Sequence, residues 1–283
     1  SAGGPDNFWV NRVLASPHEA GIAFVAKTGL RFDDFRACLF KTADYGETWT
    51  SIGGNLPEKP VNVIVQDRKN ANLLFVGTEQ GVYVSIDGGK KWVPFKNNMP
   101  WVKVADLVIH PRENDLIVAT YGRGLFVTNI TPLQELNDNV FGRDVYLFEI
   151  KPQVQRATGG IGNYQLLGDS HLFTPNEPNA LVIHYFLKEK AKDKVKITVS
   201  DPYGKVLQEI AGKGDAGMNA VLWDMRVPRP LGQAGGFRGF GGAMVDPGEY
   251  VVVLEWAGTK LTKKALIPKR MSWALGPFPS VIK

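Results

Sequence analysis

The stretch KTADYGETWTSI (41–52) is answered by VSIDGGKKWVPF (84–95), and one spacing of 43 residues aligns Asp44 with Asp87, Gly46 with Gly89 and Trp49 with Trp92. The shared pattern is Ser/Thr-x-Asp-x-Gly-x-x-Trp, with Thr42 and Ser85 at its head. Each residue type has a physical task in a tight hairpin. The aspartate accepts hydrogen bonds from backbone N–H groups of its own turn. Glycine supplies a backbone conformation that residues bearing Cβ resist. Tryptophan packs on a neighbouring sheet and anchors the outer strand.

Working outward, three segments superpose: VNRVLASPHEAGIAFVAKTG (10–29), VNVIVQDRKNANLLFVGTEQGVYVSIDGGKKW (61–92) and VADLVIHPRENDLIVATYGRGLFVTN (104–129). Each holds an apolar strand, a polar turn with Pro17, Asp67 or Pro111, and a second strand; the later two continue into GVYVS or GLFVT. In the first copy an insertion, LRFDDFRA (30–37), precedes the third strand CLFKT. The quoted turn then leads to a fourth strand, TWTSI or KWVPF. Four strands in about 43 residues make one blade of a β-propeller. The third copy departs from this pattern: NITPLQELNDNVFG (129–142) stands where a third turn of the kind should follow, and its proline ends the blade.

These turns resemble Asp boxes, the hairpin signature of the BNR propellers of sialidases, xyloglucan-cleaving enzymes and sortilin, over about Phe8 to Leu136. In those families the box is a folding device, so the resemblance implies a structural role for Asp44 and Asp87 and no catalytic one. The wording of the second and third copies is similar to bacterial exported proteins of sortilin-like or glycosyl-hydrolase-like type, in which blades precede a C-terminal sandwich. Export to the periplasm, cell surface or medium is implied by this resemblance alone.

Beyond a linker at 131–143, alternation resumes in DVYLFEI, ALVIHYFL, VKITVSD, GKVLQEI, NAVLWDM, GEYVVVLEW and KLTKKALI. Seven short strands with turns such as DPYG and DPGEY predict an antiparallel sandwich of immunoglobulin-like form over 144–270, with Trp223 in its core. The order of these strands resembles the immunoglobulin-like domain of the flagellar hook-capping protein. The expected organisation is all-β: about two and a half to three propeller blades (1–130), the linker, the sandwich, and a tail at 271–283.

Composition agrees with this class. Of 283 residues, 44% are hydrophobic, and 31 glycines and 18 prolines suit many short strands joined by turns. The net charge of +5 is scattered among acids, which argues against a nucleic-acid partner. Even the densest basic run, LKEKAKDKVK (187–196), alternates in sign. Cys38, the single cysteine, permits no intrachain disulfide and reads as a small buried hydrophobe. No apolar run reaches the roughly 18 residues of a membrane helix. The opening SAGGPDNFWV has no methionine and no signal-peptide pattern, and reads as a boundary or processing site.

Chemistry is sparsely marked. His18, His110, His171 and His184 lack metal-ligand spacing, so neither a metal nor a cofactor is expected. Propeller mouths gather the turns between second and third strands, which makes Glu79, Gln80, Tyr121 and Arg123 candidate ligand-binding residues. A two-carboxylate glycosidase would have to draw on Asp33, Asp34 and Glu79. The glycine-rich LGQAGGFRGFGG (231–242) is a strand connection or a partner-docking loop through Phe237, Arg238 and Phe240. The sequence thus supports a non-catalytic module that binds a protein or glycan, or, alternatively, the C-terminal fragment of a carbohydrate-active hydrolase. Incomplete blades also invite completion by further blades or by another chain.

Overall fold

The first sheet is an antiparallel run of four strands, β1 (Trp9–Ala15), β2 (Ala23–Gly29), β3 (Asp34–Thr42) and β4 (Thr50–Ser51), hydrogen-bonded in sequence order. The second repeats it with β5 (Val61–Gln66), β6 (Leu74–Thr78), β7 (Gly81–Ser85) and β8 (Val93–Pro94). The third has three strands, β9 (Val104–Ile109), β10 (Asp115–Thr120) and β11 (Leu125–Asn129). This architecture comes from a computed structural model that describes residues 3–96, 98–155, 178–227 and 242–269. The chain divides into two units, Ser1–Asp138 and Asn139–Lys283.

Within the first unit, alternation along each strand sends side chains to both faces of each blade. Phe24, Ala26 and Leu39 of the first blade meet Val61, Ile64, Leu74 and Val76 of the second. The opposite face of the second blade, with Val63, Phe75, Val82 and Val84, meets Leu107, Leu116 and Val118 of the third. Polar joints run beside these cores. Asn11 Nδ2 donates to the Val61 carbonyl at 2.9 Å, and Asn62 Nδ2 donates to the Val104 carbonyl at 3.0 Å, so one inner strand clasps the next. Ala105 holds the corresponding place in the third blade and ends the series. Arg12 of β1 also pairs with Asp106 of β9.

The two repeated turns close in the same way. The Thr42 hydroxyl donates to Asp44 Oδ1 at 2.7 Å and accepts from Gly46 N–H at 2.9 Å. The Ser85 hydroxyl does the same with Asp87 and Gly89, at 2.8 Å each. Asp44 receives the Thr48 N–H at 2.9 Å, and Asp87 receives the N–H groups of Lys90 and Lys91 at 3.0 Å. Gly46 and Gly89 have φ of 95° and 93°, a region hostile to Cβ. The tryptophans differ. Trp92 Nε1 reaches the Ile52 carbonyl of the preceding blade at 2.7 Å, and Asn55 brackets its backbone N–H and C=O at 2.8 Å each. Trp49 Nε1 bonds only within its own turn, to Gly46 O at 3.1 Å.

These bonds set an acid limit. Hydrogen bonds from the Thr48 hydroxyl and N–H and from Thr42 hold Asp44 down at about 2. For Asp87, burial pushes upward, but the N–H groups of Lys91 and Lys90 and the Ser85 hydroxyl outweigh it and leave the carboxyl below its usual range. A carboxylate depressed in the folded state contributes stability that is present above its unfolded value near 4 and lost as pH falls through the folded one. The propeller unit is therefore expected to lose thermal stability between about pH 4 and pH 2, and an Asp44→Asn, Asp87→Asn double variant to show a shallower acid slope. Calorimetry across that range checks both.

One expectation needs correction. LRFDDFRA is not a separate insertion before the third strand: after a 3-10 turn at Leu30–Phe32 the chain enters β3 at Asp34, which pairs with Gly29. The segment 131–143 carries two short helices, α1 (Thr131–Gln134) and α2 (Asp138–Phe141), because its apolar residues are placed to be buried. Ile130, Pro132 and Leu136 are buried, and Pro132 opens the first of these helices. Asn129 replaces the missing hairpin turn: its Nδ2 holds the Glu113 carbonyl at 2.9 Å and Asp115 Oδ1 at 2.8 Å, turning the chain back on its own blade.

The second unit is a two-sheet β-sandwich. Strands β12 (Val145–Leu147), β13 (Leu181–Leu187) and β16 (Gly217–Trp223) form one layer; β15 (Val206–Ala211), β14 (Lys196–Ser200), β17 (Gly248–Trp256) and β18 (Thr259–Ile267) form the other. Leu181, Ile183, Tyr185 and Trp223 meet Ile197, Val199, Val252 and Leu254 in its core. The tail at 271–283 lies outside the described residues.

Candidate functional site

An open cleft lies over the starts of the inner strands. Trp9, which opens β1, is 52% exposed, and the Arg31 guanidinium, carried by the 3-10 turn, lies 4.0 Å from its ring centre. Asn11, Thr28 and Leu30 continue the wall on that side. Across from them stand Asn62, Glu79 and Lys103, the last two joined in an ion pair at 2.8 Å. Local structure explains these positions. Glu79 sits in the tight β6–β7 turn, where its N–H donates to the Pro60 carbonyl at 3.1 Å and Gly81 takes a φ of 95°. Trp101 approaches Gly81 so closely that a Cβ there would lie 2.8 Å from its ring.

Of the four residues expected at the mouth, Glu79 lines the cleft and the other three do not. Gln80 uses its N–H to close the turn on Thr78 Oγ1 at 3.0 Å. Tyr121 is 76% exposed, although its backbone N–H reaches the Lys103 carbonyl at 2.9 Å. Arg123 folds back on the Gly122 carbonyl at 3.1 Å. Phe237, Arg238 and Phe240 lie outside the described residues, as does His171. Trp9, Arg31 and Lys103 went unrecognised in the sequence; the Val-Asn pair opening two inner strands was the available signal for Asn11 and Asn62.

Asp34 does not fit the part of a general acid. Side-chain and backbone hydrogen bonds from Arg36 hold its carboxyl below the ordinary range, whereas a general acid must keep its proton near neutral pH. Asp33 takes a left-handed φ of 55° at the end of the 3-10 turn. His18 Nε2 lies 2.7 Å from the Asp67 carbonyl, and His110 Nδ1 accepts the Glu113 N–H at 3.1 Å, so both brace loops. Cys38 is buried, which pushes its thiol upward. Among the described residues no cluster of three His, Cys, Asp or Glu is placed to hold a metal, and no helix is long and apolar enough to cross a membrane.

Fold and cleft together define a class: an incomplete β-propeller module, open at its mouth, followed by a β-sandwich. A family model described as Sortilin-Vps10 (sortilin, neurotensin receptor 3) matches residues 37–132, so the propeller is sortilin-like over that stretch. No curated protein matches the chain. Among solved structures, the chain is similar to an ancestral GH74 enzyme at 15% identity, covering 93% of this chain and 31% of that one, with a TM-score of 0.37. A GH74 enzyme of Niastella koreensis matches at 11%, with coverage of 90% and 46% and a TM-score of 0.34. The GH74 xyloglucanase of Xanthomonas campestris matches at 13%, with coverage of 91% and 39% and a TM-score of 0.35. The chain thus spans between 31% and 46% of the length of these three structures.

Proposed function

We propose that this chain is a non-catalytic binding or scaffolding module of a bacterial exported protein, its repeated turns being Asp boxes and its sandwich immunoglobulin-like. The mouth of the propeller takes a neutral glycan. The observation that carries this reading is the exposed Trp9 ring, braced by Arg31 at 4.0 Å and flanked by the amides of Asn11 and Asn62. A flat apolar face ringed by hydrogen-bonding groups suits a sugar, whose C–H face stacks on aromatic rings while its hydroxyls exchange hydrogen bonds. The alternative, a hydrolase fragment, needs a second carboxylate across the scissile bond from Glu79, supplied from beyond the described residues.

Calorimetric titration with xyloglucan oligosaccharides, run beside a reducing-end release assay, separates the two. Saturable binding without release is expected, weakened at least about tenfold, or roughly 1.4 kcal/mol, by Trp9→Ala. Release of reducing ends by this chain would establish the hydrolase reading. Binding indifferent to Trp9→Ala would remove the mouth from the account.

A further inference from the structure

Among the described residues the third blade has no counterpart of one feature of the first two. In those blades a short outer strand lies on the third strand, opposite Phe40 and Lys41 in one case and Tyr83 and Val84 in the other. The outer segment also donates a hydrogen bond inward, Ile52 N–H to the Leu39 carbonyl at 2.9 Å and Phe95 N–H to the Val82 carbonyl at 2.8 Å. Register places Leu125 and Val127 where Val82 and Val84 stand, because Ala119 and Ile117 face them as Gly77 and Phe75 face the earlier pair. Among the described residues no strand pairs with the outer edge of β11.

That edge presents its hydrogen-bonding groups outward. Thr120 N–H donates to the Gly124 carbonyl at 3.1 Å, so the pair Thr120–Gly124 is a hydrogen-bonded one. Antiparallel alternation then makes Ala119–Leu125 and Ile117–Val127 non-hydrogen-bonded pairs, whose outer members turn N–H and C=O away from β10. The sheet face beside this edge is open as well: Leu125 is 70% and Val127 62% exposed, whereas Val82 (1%) and Val84 (5%) are covered by the third blade.

A second feature specifies what would lie there. Asn55 brackets Trp92 by accepting its N–H and donating to its carbonyl, and Leu56 beside it is buried. The corresponding stretch of the second blade is Lys96 to Pro100, where Met99 is buried as Leu56 is, and Met99 N–H donates to Lys96 O at 2.8 Å as Leu56 N–H donates to Gly53 O at 3.0 Å. Asn98 therefore holds the place of Asn55, and it is exposed. By the same correspondence the Phe95 carbonyl holds the place of Ile52 O, the acceptor of the Trp92 indole.

We propose that β11 is a strand-addition site for a tryptophan-bearing extended segment of a partner polypeptide. The segment runs antiparallel to Leu125–Val127, its tryptophan backbone bracketed by Asn98 and its indole N–H directed at the Phe95 carbonyl. Main-chain hydrogen bonds along the edge give affinity, and the tryptophan gives selectivity. The occupant is not a second copy docking through its first blade, whose outward face is already occupied: Gly3 and Gly4 lie against the Phe40 ring, and the Lys27 ammonium binds the Gly3 and Pro5 carbonyls at 2.8 and 3.2 Å. This site is separate from the glycan-binding mouth, and either can fail without the other.

The probe is a peptide copying Asp87–Lys96, DGGKKWVPFK, the segment that the chain lays on its own β7. Titrated into the isotope-labelled 283-residue chain up to about millimolar concentration, it is expected to give saturable NMR shifts at the Leu125 and Val127 amides and the Asn98 side chain. Val127→Pro removes one outward N–H at a position where an edge strand tolerates proline, and is expected to weaken binding about tenfold or more. Asn98→Ala, a surface change, and a Trp→Ala peptide are expected to act in the same direction. No saturation, shifts confined to other regions, or binding indifferent to all three changes would overturn the proposal. So would light scattering that shows the peptide-free chain pairing with itself through β11.

Discussion

Trp92→Ala is expected to lower the stability of the propeller unit by about 3–5 kcal/mol, the usual loss when a buried tryptophan is truncated. The indole is 3% exposed, packs in the core shared by the first two blades and donates to Ile52 O, so one substitution removes apolar contact and a joint between blades. Trp49→Ala is the comparison. Its indole is partly exposed and satisfied inside its own turn, so the loss there is expected to be clearly smaller. Denaturant unfolding with hydrogen exchange read over β5 to β7 measures both. A Trp92→Ala loss below about 1 kcal/mol would mean that the indole supplies its one hydrogen bond to Ile52 O and little packing.

Trp223→Ala is expected to cost the sandwich a similar amount, about 3–5 kcal/mol. Its side chain is fully buried, stands opposite Leu181 in the ladder and meets the Tyr250 ring edge-on with centroids 5.3 Å apart, which links the two layers. Leu222, one residue earlier, points the other way and is 53% exposed, so Leu222→Ala should stay within about 0.5 kcal/mol of the parent. Near-ultraviolet circular dichroism and exchange protection in β13 and β17 report the difference. Equal effects of the two substitutions would mean that the register of β16 is shifted by one residue.

Much of this architecture was legible because period-two burial writes itself into strands such as Gly217–Trp223 and Gly248–Trp256, and because Asp and Gly at fixed offsets mark a turn. All seven sandwich strands appear where alternation predicts them. The inter-blade contacts were not legible. Asn11 gripping the Val61 carbonyl is a side-chain bond to backbone 50 residues away, and any polar residue at a strand start looks alike in sequence. The cleft was half legible for the same reason. Glu79 sits in a turn that the repeat locates, but Trp9 and Arg31 come together only because the 3-10 turn folds back over the start of β1. Nor does the sequence show that Asn129 has three acceptors at Glu113, Asn114 and Asp115, which only the pairing of β10 with β11 brings beside it.

The asparagine clasps give the array a polarity. Each inner strand gives a hydrogen bond and the next receives it, from Asn11 to Val61 and from Asn62 to Val104, so the row of blades has a donor sense like that of a ratchet. Its two ends are therefore chemically unlike. At the head, the carbonyl of Val10 occupies the receiving position. At the tail, Ala105 offers no side-chain donor, so the series of clasps ends there.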